Sequence, residues 1–390
     1  MNNVTAMINS MNIKMRTDNR FEGRITVNGN RKSFYGTTKA EIKQKAKEYL
    51  QKVENGYREP QSIVLNEYIE YWLETYKYNR IEPSSYDKLE RTYNNQIKET
   101  IGRKRMGDIT SKDIQQLINE HASGARKPLA KSGLKKILHL LNPCFRKAMQ
   151  EGIIYDNPCK DVDLPIDSAI LIPTKEQFAL SDGEMEALKN ECLAKYKNGS
   201  YRYRNGLILM IMLNTGLRVG EMLALEWRDI NIEDRTIHIY KTMQSNLTNR
   251  NKNIDRKTID ILKMSPKTKS GVRFISINDN IIYYINQLKK FDEENEIHSP
   301  YVCCTRTGTR EVARNLQRTL NNVQKKTNIE KHITLHTLRH SFGSSLIRKG
   351  ISIAVVSQLM GHANISITYN KYIHTIKEEE VKAMDMIEIC

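Results

Sequence analysis

The most informative residues of this chain are arginines, histidines and a tyrosine that recur in a fixed order in its second half. Arg218 lies in the segment TGLRVGEMLAL, His336 and Arg339 lie in LHTLRHSFGSS, and His362 follows Gly361 in QLMGHANISITYNKYIHT. Two guanidinium groups can bind one phosphate bidentately, imidazoles can transfer protons, and a phenol can attack phosphorus. These residue types predict phosphoryl transfer, and we expect the reaction to use no metal ion and no other cofactor.

Local helix signals indicate how the first arginine could be positioned. Arg218 precedes an amphipathic segment, and Glu221 lies one helical turn further on. A carboxylate at this spacing can hold the guanidinium in one orientation, and the free N–H groups of a helix start favour an anion. An ordinary ion pair on the protein surface is the alternative interpretation of this pair.

The His-x-x-Arg segment is predicted to open a second helix. Thr337 is a good N-cap and Gly350 a good helix stop. His336 is therefore expected at the mouth of the helix and Arg339 in its first turn, where both can reach an anion. His340 should point away from these two side chains, towards the core.

A glycine-histidine corner precedes two candidate nucleophiles. Gly361 should end one helix and expose His362, and Ser366 should start a short helix that carries Tyr369 and Tyr372. Taken alone, a tyrosine near the end of a chain is more often a packing residue. The residue types by themselves leave both tyrosines open.

The charge of the chain points to a polyanionic partner. Its 390 residues include 62 Lys and Arg against 45 Asp and Glu, which gives a formal net charge of +17. Nucleic acid is the commonest large polyanion that a basic protein binds. A basic protein whose charges are merely solvated is the alternative.

Targeting signals and cysteine usage bear on location. No apolar run is long enough to span a bilayer, the N-terminus lacks the pattern of a signal peptide, and the six cysteines form no CxxC pair. We therefore expect reduced cysteines, a cytoplasmic location and no membrane association. Adjacent Cys303 and Cys304 are predicted to lie in a core strand and not in a metal site.

Proline, glycine and capping residues divide the chain into three predicted domains. Residues 1–58 contain a hairpin centred on Asn28-Gly29 and one helix, and residues 62–165 contain four helices. Residues 166–176 are a predicted linker, and residues 177–390 form the largest domain. We predict a multi-domain, mainly α fold with a small β-sheet plus helix at the N-terminus, a four-helix domain, and a mostly helical domain with a small β-sheet.

Some boundaries inside these domains are predicted more sharply than others. Capping boxes are predicted for Thr38 with Glu41 and for Ser181 with Glu184, since Ser or Thr three residues before Glu satisfies two helix-end donors. The polar span Gln244 to Lys263 is either a long β-hairpin loop or a mobile flap.

Two groups of basic residues are candidate DNA contacts. A small sheet can lay its strands in a DNA groove, and basic loops suit phosphate contacts. Each Lys or Arg taken alone is more often simply solvated. The candidates are Arg24, Arg31 and Lys32 on the hairpin and Arg103, Lys104 and Arg105 in the loop IGRKRMGDIT.

Together these motifs resemble those of the tyrosine recombinases, the phage integrase family, over nearly the whole chain. The resemblance is closest to integrases of gram-positive phages and conjugative transposons. In that branch the nucleophile lies ten residues beyond the second histidine, in a Tyr-x-His context. The sequence YIH at 372–374 fits this spacing from His362, which favours Tyr372 as the nucleophile and leaves Tyr369 as the alternative.

The resemblance also implies roles for the other residues. Arg218 and Arg339 would clamp the phosphate, with Glu221 orienting Arg218. His336 would accept the proton of the tyrosine and His362 would donate a hydrogen bond to the phosphate. A general-acid lysine on a β-hairpin is expected at Lys267 in SPKTKSGVRFISI, with Lys269 as the alternative.

By this resemblance residues 1–58 are an arm-type DNA-binding domain, 62–165 the core-binding domain, and 177–390 the catalytic domain with a C-terminal tail. The implied protein is a site-specific recombinase that integrates and excises a mobile element through a covalent 3′-phosphotyrosine, without metal or ATP. Its implied partners are double-stranded DNA attachment sites and further copies of the chain in a homotetramer. An excisionase or a host DNA-bending protein would be an additional partner.

Two other functions share part of this evidence. A type IB topoisomerase-like enzyme uses the same set of residue types but relaxes supercoils without paired sites. A non-catalytic DNA-binding regulator on the same scaffold would form no covalent adduct. The N-terminal hairpin domain and the Gly361-His362 corner favour the recombinase.

Overall fold

The structure, a computed structural model, describes residues 2–27, 30–54, 63–173, 178–247, 258–264 and 271–385. Its contacts divide the chain into two compact units, Met1–Thr174 and Lys175–Cys390. The described residues are mainly helical with small antiparallel sheets, which confirms the predicted fold class. The finer division into three domains and a linker stays a prediction.

The N-terminal part of the first unit is a three-stranded antiparallel sheet flanked by two helices. In chain order its elements are α1 Asn2–Asn9, β1 Asn12–Met15, β2 Phe21–Val27, β3 Asn30–Gly36 and α2 Lys39–Glu54. Strands β2 and β3 pair as the predicted hairpin requires, while the Asn28-Gly29 turn lies outside the described residues. Helix α1 and strand β1 were not predicted from the sequence, and a strand of four residues is too short to display a clear alternation.

One face of this sheet packs on α2. Ile25 and Phe34 of the sheet are buried with Ile42, Ala46 and Leu50 of the helix. The opposite face carries polar side chains, which is the arrangement expected for an antiparallel sheet with one solvated side.

The two predicted capping boxes differ in outcome. Ser181 and Glu184 form both reciprocal hydrogen bonds at the start of a helix, as predicted. At the start of α2, Thr38 accepts from the backbone N–H of Glu41 at 3.1 Å. The carboxylate of Glu41, however, accepts from the N–H and hydroxyl of Thr37. Only half of that predicted box is therefore formed.

Four helices make up the rest of the first unit, as predicted. Their bounds are α3 Leu65–Trp72, α4 Pro83–Thr92, α5 Ser111–Ser123 and α6 Lys131–Gln150, and single π-helical turns, Leu73–Lys77 and Tyr93–Ile97, extend α3 and α4. The aromatic stripe of α3 lies in the core, where Tyr68 and Trp72 are almost completely buried. Amphipathic helices of this kind gain most of their stability by burying such a stripe.

The second unit combines eight helices and five strands among its described residues. In chain order these are α7 Asp182–Cys192, α8 Arg204–Thr215, α9 Val219–Ala224, β4 Ile230–Asn231, β5 Thr236–Ile239, β6 Thr242–Leu247, β7 Thr258–Lys263, β8 Arg273–Ser276, α10 Asp279–Glu294, α11 Ala313–Gln324, α12 Leu335–Arg348, α13 Ile353–Met360 and α14 Ile365–Asp385. Helix α8 is buried on nearly all sides, so it forms the centre of this unit.

The two ends of α8 are fixed in different ways. At its start, Arg204 donates two hydrogen bonds of 2.6 Å to Asp292 of α10, and both side chains are buried. At its end, Gly216 adopts φ +65°, and a Cβ there would lie 2.3 Å from the ring of Phe342. Glycine is therefore required for the turn that leads from α8 to Arg218.

The strands of the second unit form two separate sheets. Strands β4, β5 and β8 form one, and β6 pairs with β7 to form a two-stranded ribbon. This pairing confirms the long β-hairpin for the span from Gln244 to Lys263, whose residues 248–257 lie outside the described residues.

The expectation for Cys303 and Cys304 is half right. Both side chains are buried, but the strand is wrong: the segment forms only isolated β-bridges, from Tyr301 to Glu226 and from Cys304 to Arg310. Among the described residues no group of three or more His, Cys, Asp or Glu could hold a metal ion. No described helix is long and apolar enough to cross a membrane.

Candidate active site

A cavity of about 520 Å³ in the second unit brings together most of the residues that the sequence singled out. Arg218 enters it from the N-cap of α9, His336 and Arg339 from α12, and His362 from the turn after α13. Other described residues of its lining are Glu221, Thr242, Met243, Gln244, Lys263, Gly271, Gly361, Ala363, Ile367 and Lys371.

Arg218 is held by three hydrogen bonds. Its Nη1 donates to Glu221 Oε1 at 2.7 Å, its backbone N–H to Glu221 Oε2 at 2.9 Å, and its Nη2 to the carbonyl of Gly361 at 2.8 Å. The side chain of Glu221 is only 3% exposed. The alternative of an ordinary surface ion pair is therefore wrong.

Arg273 on β8 is a site residue that the sequence analysis missed. It donates to both oxygens of Glu221, at 3.1 and 2.9 Å, and its Nε donates to the carbonyl of Leu359 at 2.9 Å. Burial alone would raise the pKa of Glu221, but the hydrogen bonds and charges of Arg273 and Arg218 hold that pKa below its ordinary value. The alternation along β8 could have revealed Arg273 as a site residue, because Arg273 shares the inward face of this strand with Ile275.

The C-terminal end of α13 is bound by arginines. The carbonyls of Leu359, Met360 and Gly361 accept hydrogen bonds from Arg273, Arg339 and Arg218 respectively. The last carbonyls of a helix have no partner within it and carry partial negative charge, so guanidinium groups stabilise this end. The helix ends at Gly361, which adopts φ +61° and turns the chain so that His362 faces the cavity, as predicted.

Helix α12 begins three residues earlier than predicted. Thr334 is the N-cap, and it forms a capping box with Thr337, the residue predicted for that position. Two threonines at this spacing satisfy each other's backbone donors, which the single-residue signal at Thr337 did not reveal. His336 therefore lies in the first turn and Arg339 in the second, whereas the stop at Gly350, with φ +76°, is confirmed.

Arg339 is the most enclosed cation of the cavity. It is 4% exposed and donates to the carbonyl of Gly216 at 2.6 Å and to that of Met360. Burial and the neighbouring charge of Arg218 lower the pKa of Arg339 to about 9. The group is still mostly charged at neutral pH, and a bound anion would favour that charge further.

The two histidines of the cavity are neutral at pH 7. Burial, followed by the charge of Arg339, lowers the pKa of His362 to about 4, and burial and nearby cations also lower the pKa of His336. The Nδ1 of His362 lies 2.8 Å from the hydroxyl of the buried Thr368. This contact fixes the orientation of the ring.

Tyr372, the predicted nucleophile, does not line the cavity. It lies on α14, is 2% exposed, and donates from its hydroxyl to Met360 Sδ at 3.2 Å. It packs edge-on against His340, which is buried as predicted. Burial raises the pKa of Tyr372, partly opposed by the charge of Arg339. The structure thus gathers the predicted clamp residues and leaves the phenol in a separate apolar cluster.

Helix α14 also differs from the predicted short helix. It starts at Ile365, one residue before Ser366, and continues to Asp385 with a break at Tyr372, where φ is −115° and ψ is 15°. The alternative nucleophile Tyr369 is 42% exposed on this helix.

Lys371 reaches the cavity from the residue just before Tyr372. Burial, Arg339 and Arg218 lower the pKa of Lys371 to about 8. It was not among the predicted site residues, although its spacing of four from Ile367, another lining residue, places both on one helix face.

The predicted general-acid lysine and its alternative, Lys267 and Lys269, both lie outside the described residues. Lys263 at the end of β7 is a described lysine that lines the cavity from the same region of the chain.

The predicted DNA contacts of the N-terminal sheet fall on two faces. Arg24 and Arg31 line a polar pocket of about 530 Å³ with Lys14 of β1. Arg24 is paired with Glu22 at 2.8 Å. Lys32 is opposite Ile25 in the register, on the face towards α2, and its Nζ lies 5.7 Å from the ring centre of Tyr49.

In the predicted basic loop of the helical part, two of the three basic side chains form ion pairs with acidic residues. Arg103 pairs with Glu99, and Lys104 pairs with Asp113 at 2.6 Å. Arg105 is exposed, and its backbone forms an antiparallel bridge with Val64.

The position of Tyr372 can be tested through Gly343. A Cβ built on Gly343 would lie 2.3 Å from the Tyr372 hydroxyl and 2.9 Å from Met360 Sδ. The variant Gly343→Ala should strain this packing by about 1–2 kcal/mol, which raises the population with an exposed phenol by about 5–30-fold. Nitration of Tyr372 by tetranitromethane, read by mass spectrometry, would measure the exposure.

The matched control is Gly183→Ala, because nothing lies within 4 Å of the Cβ position of Gly183. Nitration of the exposed Tyr369 serves as an internal reference in both variants. An unchanged rate at Tyr372 in a folded Gly343→Ala protein would mean that the phenol does not occupy this space.

Comparisons with known proteins identify the family of the chain. The model described as "Phage integrase family" matches residues 180–379, and "Phage integrase, N-terminal SAM-like domain" matches residues 64–121. The chain is 29% identical to a "Tyrosine recombinase XerC-like" of Caldanaerobacter subterraneus subsp. tengcongensis, over 92% of this chain and 91% of that protein. It is 26% identical to the "Transposase from transposon Tn916" of Enterococcus faecalis, over 73% and 71% of the two chains.

Solved structures share the fold. The Tn1549 transposon integrase in complex with transposon right end DNA superposes with a TM-score of 0.63 at 18% identity, covering 82% of this chain and 99% of that one. A lambda integrase dimer bound to a COC′ core site gives a TM-score of 0.57 at 15% identity, covering 92% and 94%. The family match spans more than half of the sequence, and the chain therefore belongs to the phage integrase family, the tyrosine recombinases.

Proposed function

We propose that this recombinase is the integrase of a mobile element, which cleaves and rejoins double-stranded DNA through a covalent 3′-phosphotyrosine at Tyr372. The observation that carries the proposal is the convergence of Arg218, His336, Arg339 and His362 on one cavity beside the helix that bears Tyr372. A phosphodiester in this cavity would meet two guanidinium groups and two neutral imidazoles.

The arginines would supply the clamp for the phosphate. Arg218 and Arg339 would bind the non-bridging oxygens and stabilise the charge that grows in the transition state. Their backbone and carboxylate contacts hold both guanidinium groups in place before DNA arrives, so little reorganisation is needed at the moment of reaction. Glu221, bound by Arg273 as well, would keep Arg218 in this orientation.

The histidines would handle protons. A base must be unprotonated to act, and the lowered pKa of His336 provides this form at neutral pH. His336 would accept the proton of Tyr372, and His362, oriented by Thr368, would donate a hydrogen bond to the phosphate. Lys267 is proposed as the general acid for the departing 5′-hydroxyl, with Lys269 as its alternative.

The nucleophile has to move before it can attack. In its apolar cluster the pKa of Tyr372 is raised, whereas beside the two clamp arginines it would be lowered. Attack would then form the bond from Tyr372 Oη to phosphorus and break the bond to the 5′-oxygen, which leaves as a hydroxyl. Rejoining reverses these steps on a new 5′-hydroxyl, so the bond energy is retained and no ATP is required.

DNA contacts outside the cavity are proposed for both parts of the first unit. The arm-type domain, residues 1–58, would use Arg24 and Arg31, and the core-binding domain, residues 62–165, would use the loop with Arg103, Lys104 and Arg105. Lys32, on the opposite sheet face, fits this role less well. Residues 166–176 would link these domains to the catalytic domain, 177–390.

The assembly and setting complete the proposal. The solved relatives include a lambda integrase tetramer bound to a Holliday junction. By analogy we propose a homotetramer of this chain on paired attachment sites, with an excisionase or a host DNA-bending protein setting direction. The setting would be the cytoplasm of a bacterial host, where the element's DNA is located and cysteines stay reduced.

The test is a comparison of two DNA substrates. Plasmids that carry the element's paired ends should recombine, and supercoiled plasmid without them should not be relaxed at a comparable rate. Relaxation of the plasmid without these ends, at equal efficiency, would instead identify a type IB topoisomerase-like enzyme. DNA binding without strand cleavage of either substrate would favour a non-catalytic regulator.

A further inference from the structure

We propose that Lys371 is a phosphate-binding residue that occupies the cavity before strand cleavage and leaves it when Tyr372 enters. This inference rests on the proposed function of the cavity, and it adds a residue and an order of events to that function. It would make two neighbouring residues of α14 alternate occupants of one site.

The first observation is the charge of the cavity. Glu221 is the only acid among the described lining residues, and its two oxygens are already bonded to Arg218 and Arg273. Arg339 and Lys371 therefore add positive charge that no carboxylate in this described lining balances. An anion such as a phosphodiester supplies the missing negative charge.

The second observation is the position of Lys371 relative to Tyr372. Consecutive residues of an α-helix point about 100° apart around its axis. With Lys371 directed into the cavity, Tyr372 is directed into the cluster formed with Met360, Val356 and Ile347. Bringing the phenol to the cavity by turning this segment therefore carries Lys371 away from it.

The third observation is a hinge at the required place. Helix α14 departs from helical geometry at Tyr372 itself, with φ −115° and ψ 15°. A segment that is already broken there can turn without first unwinding a regular helix. The break therefore lies between the residue in the cavity and the residues that follow.

The pKa of Lys371 also supports the proposal that Lys371 occupies the cavity before Tyr372 does. Burial and the charges of Arg339 and Arg218 lower the pKa of Lys371 to about 8, because its ammonium lies among other cations and away from water. A phosphodiester would favour the charged form of Lys371. Lys371 would bind this phosphodiester together with the clamp arginines Arg218 and Arg339. When the phenol replaces the lysine, the arginines keep the phosphate in place.

The test separates binding from cleavage with the variant Lys371→Met, which keeps the length of the side chain and removes its charge. Binding is measured in the Tyr372→Phe background, on a duplex that carries the element's end, over a range of salt concentrations. Lys371→Met should weaken binding about tenfold and reduce the salt slope by about one. Single-turnover cleavage at saturating DNA, with Tyr372 present, should be at least as fast as in the unaltered protein.

The matched control is Lys377→Met, which removes an exposed charge from the same helix. If Lys371→Met binds like this control, the inference is overturned. It is also overturned if cleavage at saturating DNA falls about a hundredfold, since Lys371 would then act in the chemical step. If the unaltered protein forms no covalent adduct, the proposed function itself is wrong. This outcome differs from a failure of the inference about Lys371, in which the unaltered protein still forms the adduct.

Discussion

Replacing Tyr372 with Phe should abolish the covalent protein–DNA adduct, by more than about a thousandfold in rate, because the attacking oxygen is removed. The measurement uses a nicked suicide substrate that carries the element's end and detects adducts that survive SDS. The fold should persist in this variant. Phe keeps the ring that packs against His340, and only the weak hydrogen bond to Met360 Sδ is lost.

Tyr369→Phe is the matched control for this experiment. Tyr369 is 42% exposed, so loss of its hydroxyl should change neither packing nor adduct formation by more than about twofold. An adduct that disappears with Tyr369→Phe and persists with Tyr372→Phe would move the nucleophile. It would also invalidate the register assigned beyond His362.

The second large effect is expected for Arg218→Lys. Lysine retains the charge, but it lacks the planar fork that bonds Glu221 and Gly361 while a phosphate is held. Single-turnover cleavage at saturating DNA should fall about 10²–10³-fold, which corresponds to roughly 3–4 kcal/mol of transition-state stabilisation. DNA affinity should change much less, because the DNA contacts proposed outside the cavity would still support it.

Arg228→Lys is the control for this substitution. Arg228 is also an arginine of the second unit that pairs with a glutamate, Glu226, but its side chain is 74% exposed. The cleavage rate of the Arg228→Lys variant should stay within about twofold of that of the unaltered protein, since exposed ion pairs contribute little to stability. A loss of less than fivefold for Arg218→Lys would contradict the clamp role.

The sequence predicted the elements that local signals specify. Ser181 with Glu184, the stop at Gly350 and the turn at Gly361 depend on contacts within one or two helical turns, and each was found where expected. The error of three residues at the start of α12 is of the same local kind. Two threonines compete there for the N-cap, and the reciprocal capping box selects Thr334.

The cavity could be predicted only in part. The residue types of Arg218, His336, Arg339 and His362 indicated a shared anion, and the structure brings them together. The alternation along β8 could have placed Arg273 on the inward face, but no local pattern pairs it with Glu221, which is 52 residues away along the chain.

The buried position of Tyr372 could not be predicted either. It depends on packing against Gly343 and Met360, and a helical pattern cannot tell which of two adjacent residues faces a cavity that distant segments form.

The arginine contacts at the ends of α8 and α13 have a consequence for biosynthesis. The bond from Arg218 to the carbonyl of Gly361 spans 143 residues, and the bond from Arg339 to the carbonyl of Gly216 spans 123. Contacts this distant in sequence form late, because the intervening chain must first be synthesised and folded. A nascent chain that has emerged only as far as β8 therefore contains Arg218 and Glu221 but lacks the helix end whose carbonyl binds Arg218. We expect a fragment of this length to be unable to cleave DNA, because it also lacks His336, Arg339 and Tyr372.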